Sequence, residues 1–486
     1  MIRVYFDCNV ISNLKRTEIK KFEAISKIIS DNKNVFLIPF TSAHIDDLKH
    51  SVTSNQDHTL LLKDLDLLSK ISNNRFIDWT EKNITEPFIG HPNKFYYENI
   101  DEWKNPKSLD LNNLNEIINF FDDIGFASLG ENYKKILQLI PIDKRLERDL
   151  KKLFDIDKTI NNYWDCLNDC IKFMNKFQND KIFYKEFRLK SRENGISIPT
   201  NAGNWEATKV FNNLDKILKD KGIKQSFLEL IKLENNGIKK VKQTLYDKFT
   251  LTYLALDIFG YKSDKLKKSS NNLSNIITDA IHSFYAAHCD YLITDDKFLI
   301  YKSKAIYSKF KLTTEIFTTE KFISKQKEII PKRYKTIFDL INELGDFMKE
   351  TNLLYKNVNE DKTFTIAYKL PYRVFDFFNY LVVNYYPEYD EIEFEFKLAF
   401  EFKLAFKNYS RFVFDDELEI LLRYILKTIG NDNFDLKKIK KGIFNKKENI
   451  ILYNSSFIHL FIKQDNYKPK LVLNYNITKA NKILKK

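Results

Sequence analysis

Residues 276–298 read IITDAIHSFYAAHCDYLITDDKF, and this stretch predicts a helix, a tight turn and a strand in succession. Ile277, Ile281, Phe284 and His288 recur at helical spacing, whereas Asp279, His282 and Ala286 fall on another face. Such a helix can bury one side and present an acid from the other. Asp279 belongs to its first turn. After a turn at Cys289 and Asp290, the apolar run at 291–293 predicts a short buried strand that ends at Thr294, Asp295 and Asp296. Carboxylates just beyond strand ends are where α/β proteins place ligands.

The first residues carry a counterpart. IRVYF at 2–6 is rich in β-branched and aromatic residues, predicts a strand, and delivers Asp7 and Asn9 into a turn before Val10, Ile11 and Leu14. A third piece, VFLIPFTSAHIDDLKHS at 35–51, joins an apolar strand to a Thr/Ser helix start and a helix carrying Asp46 and Asp47. Taken singly, each acid has an ordinary structural explanation. Asp7 suits a turn, Asp279 a helix N-terminal turn, and Asp295 with Asp296 a loop.

In combination, strand-Asp-x-Asn at the start, the strand-turn-helix with an acid before Leu48, and D-x-x-H followed by C-D-Y-L-I-T-D-D resemble the PIN-domain family of metal-dependent nucleases. The resemblance covers residues 1–79 and 270–325. It implies an α/β core with a parallel sheet and flanking helices, and metal-binding acids at Asp7, Asp47, Asp279 and Asp296. Asp46 adjoins Asp47 and Asp295 adjoins Asp296 as alternative ligands; the second acid in the family is usually Glu. Asp47 is preferred because it directly precedes Leu48, and Asp296 because it stands two residues after Thr294. The implied activity is hydrolysis of phosphodiester bonds, RNA before DNA, with a toxin-like or anti-phage setting. Asn9 and Thr294 are expected to orient a water, a carboxylate or the scissile phosphate. Clustered Asp residues suit Mg²⁺ or Mn²⁺, and the lack of grouped Cys/His argues against catalytic zinc. His44 and His282 could each hydrogen-bond an acid, but a plain helix histidine is the expected reading of both.

About 200 residues separate Trp79 from Asp279, so the core is read as split by a helical insertion at 80–269 and followed by an α+β domain at 326–486. Amphipathic helices are predicted at 111–139, 143–154, 159–177, 204–218 and 223–233 and a strongly apolar helix at 243–259, with a loop at 195–203 and a lysine-bearing loop at 262–272. Cys166 and Cys170, four apart, are better read as small core-facing residues than as metal ligands. Beyond residue 325 a helix is expected at 333–350, a strand at 362–370 with a turn at Pro371, and an aromatic-rich helix at 375–383. From Ile392 to Phe406 every second residue is apolar, EFKLAF being repeated at 395–400 and 401–406, which is the period of a strand. A helix at 416–428 and strands at 450–453, 457–463 and 471–475 complete the reading.

Only 11 Gly and 10 Pro occur in 486 residues, which favours long helices over tight turns. Four cysteines without a paired framework, and no apolar leader before the first strand, predict a reduced, cytoplasmic protein. No apolar run of membrane-spanning length is free of charge. Of the net charge of +13, residues 431–486 hold +9, from 13 Lys against Asp432, Asp435, Glu448 and Asp465. That local excess fits a nucleic-acid partner. A second copy of the chain or a regulatory protein is also compatible with it.

Overall fold

The computed structural model describes residues 1–51, 58–79, 85–97, 204–220, 222–230, 244–262, 273–330, 333–360, 362–397, 415–430, 435–444, 449–456, 458–465 and 468–476, with single positions 148, 161, 162, 165 and 478. The helices expected at 111–139 and 143–154, most of 159–177, the Cys166/Cys170 pair, the loop at 195–203, most of the lysine loop and the repeat beyond Lys397 lie outside the described residues.

The protein is mixed α/β, organised on a parallel sheet. Strand β1 (Ile2–Phe6) leads through α1 (Cys8–Asn13) and α2 (Lys20–Asp31) to β2 (Phe36–Leu37) and β3 (Phe40–Thr41). Helices α3 (Ser42–Ser51) and α4 (His58–Ser72) then connect to β4 (Arg75–Trp79) and β5 (Thr85–Ile89). β2 and β3 are halves of one extended stretch broken at Ile38 and Pro39, and they belong to two sheets. Proline has no N–H for a ladder, which accounts for a break there. β3 pairs parallel with β4, and β5 adds antiparallel to β4, so pairing continues past residue 79.

The chain next supplies α5 (Val210–Asp220), α6 (Phe227–Leu230), α7 (Leu245–Ile258) and α8 (Leu273–Ala286), then β6 (Tyr291–Ile293), α9 (Lys297–Phe310), β7 (Glu315–Phe317) and α10 (Thr319–Ile329). The four-stranded sheet runs β2-β1-β6-β7, all parallel. β1 is buried on both faces, as a near-continuous apolar strand in such a sheet should be. Ile2, Val4 and Phe6 pack with Phe22 and Ile25 of α2 and Phe322 of α10. Tyr5 and Leu292 pack with Phe249 of α7, Phe284 of α8 and Ile306 of α9 on the other side. Val210, Phe211 and Leu214 of α5 share that second core, so the described part of the insertion packs directly on the sheet layer.

Beyond residue 330, α11 (Ile337–Phe347) precedes strands β8 (Leu353–Val358), β9 (Phe364–Val374), β10 (Phe378–Tyr386) and β11 (Glu391–Lys397). Helices α12 (Asp415–Thr428) and α13 (Leu436–Phe444) and strands β12 (Ile450–Asn454), β13 (Ile458–Asp465) and β14 (Lys468–Asn476) follow. These strands form one antiparallel sheet in the order β12-β13-β14-β11-β10-β9-β8. Phe394 and Phe396 point into its core beside Leu340 of α11 and Leu422 of α12, as the period-two pattern predicts.

Two expectations fail here. The helix at 375–383 is strand β10, and the chain reverses at Phe375 and Asp376, both with positive φ (53° and 59°). Phe, Tyr and Val favour a half-buried pleated surface, and a facing strand overrides a weak helical period. The turn at Pro371 is instead part of β9, at a stretch where the register with β10 shifts between the Val374 and Lys369 pairs. A bulge tolerates a residue with no N–H to donate. The C-terminal sheet meets the parallel core through the ion pair of Arg373 with Asp290, and α12 meets it through that of Glu417 with Arg3.

Candidate metal centre

β1 lies between β2 and β6, so the connections from β1 and β6 depart in opposite directions and leave a crevice at their carboxyl ends. Asp7 follows β1 directly. It is 2% exposed and takes the N-cap position of α1 with extended dihedrals, yet its side chain caps nothing. Its carboxylate is thereby left for the crevice. Thr294, at the end of β6, donates its hydroxyl to Asp7 Oδ2 at 2.9 Å and accepts the Asp296 backbone N–H at 3.0 Å. Among the described residues no hydrogen bond reaches Asp7 Oδ1.

Asp296 is the N-cap of α9: its Oδ1 accepts the N–H groups of Phe298 at 2.7 Å and Leu299 at 2.9 Å. That fixes the carboxyl group while Oδ2 stays available. Asp295 goes the other way. It accepts from the backbone and hydroxyl of Thr319 and pairs with Lys21, contacts that outweigh its partial burial and hold its carboxyl below the usual range. Of the two adjacent acids, Asp296 is the one coupled to the crevice.

Asp47, in the second turn of α3, meets His282 from α8: Nε2 lies 3.0 Å from Asp47 Oδ2. One ligand atom each from Asp7, Asp47 and His282 lies within 4.8 Å of the others. Asp279 stands one turn before His282 on α8, partly buried, with no side-chain hydrogen bond among the described residues. Asn9 is exposed in α1, at the rim and outside this group.

Electrostatics tie the acids together. Burial, with the charges of Asp296 and Asp7, pushes the Asp279 carboxyl well above its ordinary range, Lys302 opposing weakly. Burial likewise raises Asp7, with Asp47 and Asp296 adding and His282 and Thr294 opposing. At His282, burial works against the charged form, but the Asp47 hydrogen bond and the charges of Asp47, Asp7 and Asp46 outweigh it and raise the pKa. Asp7, Asp47 and His282 together form a group that could hold a metal ion, and the charges of Asp279 and Asp296 add to the negative field around it.

Sequence reasoning missed the supporting network. His282 Nδ1 is 2.7 Å from Tyr5 Oη, which is 2.9 Å from Thr41 Oγ1, itself 3.1 Å from His44 Nδ1. His44 Nε2 donates to the Phe6 carbonyl at 2.8 Å, and burial pushes its pKa down to about 3. The available signal was spacing: Tyr5 is two residues before Asp7 and so shares its face of β1. Behind Asp279, Lys302 pairs with Asp257 at 2.6 Å, both almost wholly buried. Among the described residues no helix is long and apolar enough to cross a membrane. No family model, curated protein or solved structure matches the chain.

Proposed function

We propose that the chain is a divalent-metal-dependent nuclease of the PIN type, an endoribonuclease that leaves 5′-phosphate and 3′-hydroxyl ends. The observation that carries this reading is the meeting of Asp7, Asp47 and His282, from three different elements, at the crevice where β1 and β6 end, with Asp279 and Asp296 coupled to Asp7 through their charges. Taking β2 and β3 as one stretch, the strand succession β4, β2/β3, β1, β6, β7 is compatible with the resemblance read in the sequence.

The residues fit a hard dication, since Asp7 Oδ1 receives no hydrogen bond among the described residues and Asp7 and Asp47 bring two carboxylates beside His282. Asp7, Asp47, Asp279 and Asp296 would hold it. Such an ion supplies an activated water as nucleophile and positive charge against the charge that develops on the phosphate. Thr294 orients Asp7, the α9 backbone orients Asp296, and His282 stands 3.0 Å from Asp47. Asn9, exposed in α1 two residues after Asp7, would meet the nucleic-acid backbone. No Ser, Cys or Tyr nucleophile is required, because Tyr5 and Cys8 are buried and burial raises both their pKa values. A toxin-like or anti-phage setting follows from the same resemblance.

End-labelled single-stranded RNA, single-stranded DNA and branched DNA, incubated with Mn²⁺ or EDTA, test the reading beside Asp279→Asn. Cleavage of RNA with Mn²⁺ alone, lost in the variant, is expected. Cleavage in EDTA giving 2′,3′-cyclic phosphate would overturn it in favour of histidine general-base chemistry.

A further inference from the structure

We infer that His282 supplies an imidazole nitrogen, beside Asp7 and Asp47, to the cation at this site, so that the site prefers Mn²⁺ to Mg²⁺; the inference rests on the metal-dependent reading above. Ligands of one ion stand about 2.0–2.2 Å from it, so two of them are at most about 4.4 Å apart. The atoms of Asp7, Asp47 and His282 already lie within 4.8 Å of one another. Small side-chain movements bring all three onto a common centre. His282 is 1% exposed and Asp7 2%, and Asp7 Oδ1 has no protein donor among the described residues.

The second observation lies outside the cluster. A ligating imidazole donates its other N–H to an acceptor, and that partner fixes the ring. Tyr5 Oη stands 2.7 Å from His282 Nδ1 and can accept. Its own proton then passes to Thr41 Oγ1 at 2.9 Å, and the Thr41 hydroxyl points at His44 Nδ1 at 3.1 Å. The chain ends in one sense only. The Phe6 carbonyl can only accept, so His44 Nε2 carries the hydrogen and Nδ1 is the acceptor, as its contact with the Thr41 N–H at 3.1 Å also requires. With that end fixed, the whole series can donate away from His282, leaving Nε2 with its lone pair toward Asp7 and Asp47. Without a cation, rotation of the Tyr5 hydroxyl reverses one bond and Nε2–H binds Asp47. The relay thus serves both states without a buried polar group losing its partner.

Selectivity follows from ligand chemistry. Mg²⁺ takes oxygen ligands and keeps much of its water, whereas imidazole suits first-row transition dications. Two carboxylates and one imidazole therefore separate Mn²⁺ from Mg²⁺ where an all-carboxylate site separates them less.

Isothermal titration of the metal-stripped full chain with Mn²⁺ and with Mg²⁺, at fixed pH, measures the preference without reference to cleavage. Mn²⁺ should bind at least about tenfold more tightly. His282→Gln should weaken Mn²⁺ by about 10–100-fold and Mg²⁺ by less than about threefold, and Tyr5→Phe should weaken Mn²⁺ by about tenfold. Electron spin-echo spectra of the Mn²⁺-loaded wild-type chain should carry ¹⁴N modulation, which keeps the test independent of how the variants fold. Tight Mn²⁺ binding without ¹⁴N modulation, or an unchanged Mn²⁺/Mg²⁺ ratio in a folded His282→Gln, overturns the imidazole ligand and spares the metal-dependent reading. Failure of both ions to bind the wild-type chain removes both the imidazole ligand and the metal-dependent reading.

Discussion

Replacing Asp279 by Asn should make the metal-free protein more stable, not less. Asp279 is coupled to Asp296 and Asp7, and burial adds to their repulsion. Two like charges about 5 Å apart at an effective dielectric near 20 repel by roughly 3 kcal/mol. Lys302 returns part of this, and Asp279 is only partly buried, so a net gain of about 1–3 kcal/mol is expected for the neutral isostere. At about 2–4 °C per kcal/mol, Tm should rise by about 2–12 °C. The pH dependence has a definite sign. Because the folded-state pKa of Asp279 lies above the unfolded value, the penalty for ionising it is absent below the unfolded value and complete above the folded one. The advantage of Asp279→Asn should therefore be small near pH 4 and larger at pH 8. Thermal unfolding of both proteins in EDTA at several pH values provides the assay. Saturating Mn²⁺ should reverse the order, since an ion at 100 times its Kd stabilises the wild type by about 2.7 kcal/mol and the variant holds it less well. A variant less stable than its parent at pH 8 in EDTA, or an advantage unchanged between pH 4 and pH 8, would refute the placing of Asp279 among like charges.

Lys302→Met removes the buried cation paired with Asp257 and should cost about 3–5 kcal/mol in chemical denaturation, most of it recovered by adding Asp257→Leu; equal losses in the single and double variants would deny the pair its importance. Reversing the exposed Lys437, Lys438 and Lys441 of α13 to Glu should weaken single-stranded RNA binding and lower the log–log salt slope by about 0.7 per lost phosphate contact, read from binding titrations at several salt concentrations. An unchanged slope would assign that surface to another partner. RNA with a 2′-O-methyl group at the cleaved position should still yield a 5′-phosphate in gel-based end analysis, because water attack does not use the 2′-hydroxyl; complete resistance despite retained binding would point to the cyclic-phosphate route.

The sequence alone determined the elements that end in acids. The runs at 2–6 and 291–293 are short, apolar and followed by Asp, and both are strands; the period of α8 is helical and places Asp279 one turn before His282. Local chemistry sufficed there, because burial on both faces demands an unbroken apolar strand and a turn follows it. The alternation through Phe394 and Phe396 was legible for the same reason. Tertiary structure decided what local pattern leaves degenerate. Between Asp295 and Asp296 spacing gives only a preference, and the fold separates them by giving Asp295 to Thr319 and Lys21 and Asp296 to the start of α9. Residues 375–383 carry both helical and strand signals, and pairing with β9 and β11 selects the strand. His282 is one helix histidine among several kinds until α3 brings Asp47 to 3.0 Å and β1 brings Tyr5 to 2.7 Å. Those contacts join residues hundreds of positions apart in the chain. A periodicity a few residues long records which face is buried, but not which partner from a distant element will be buried against it.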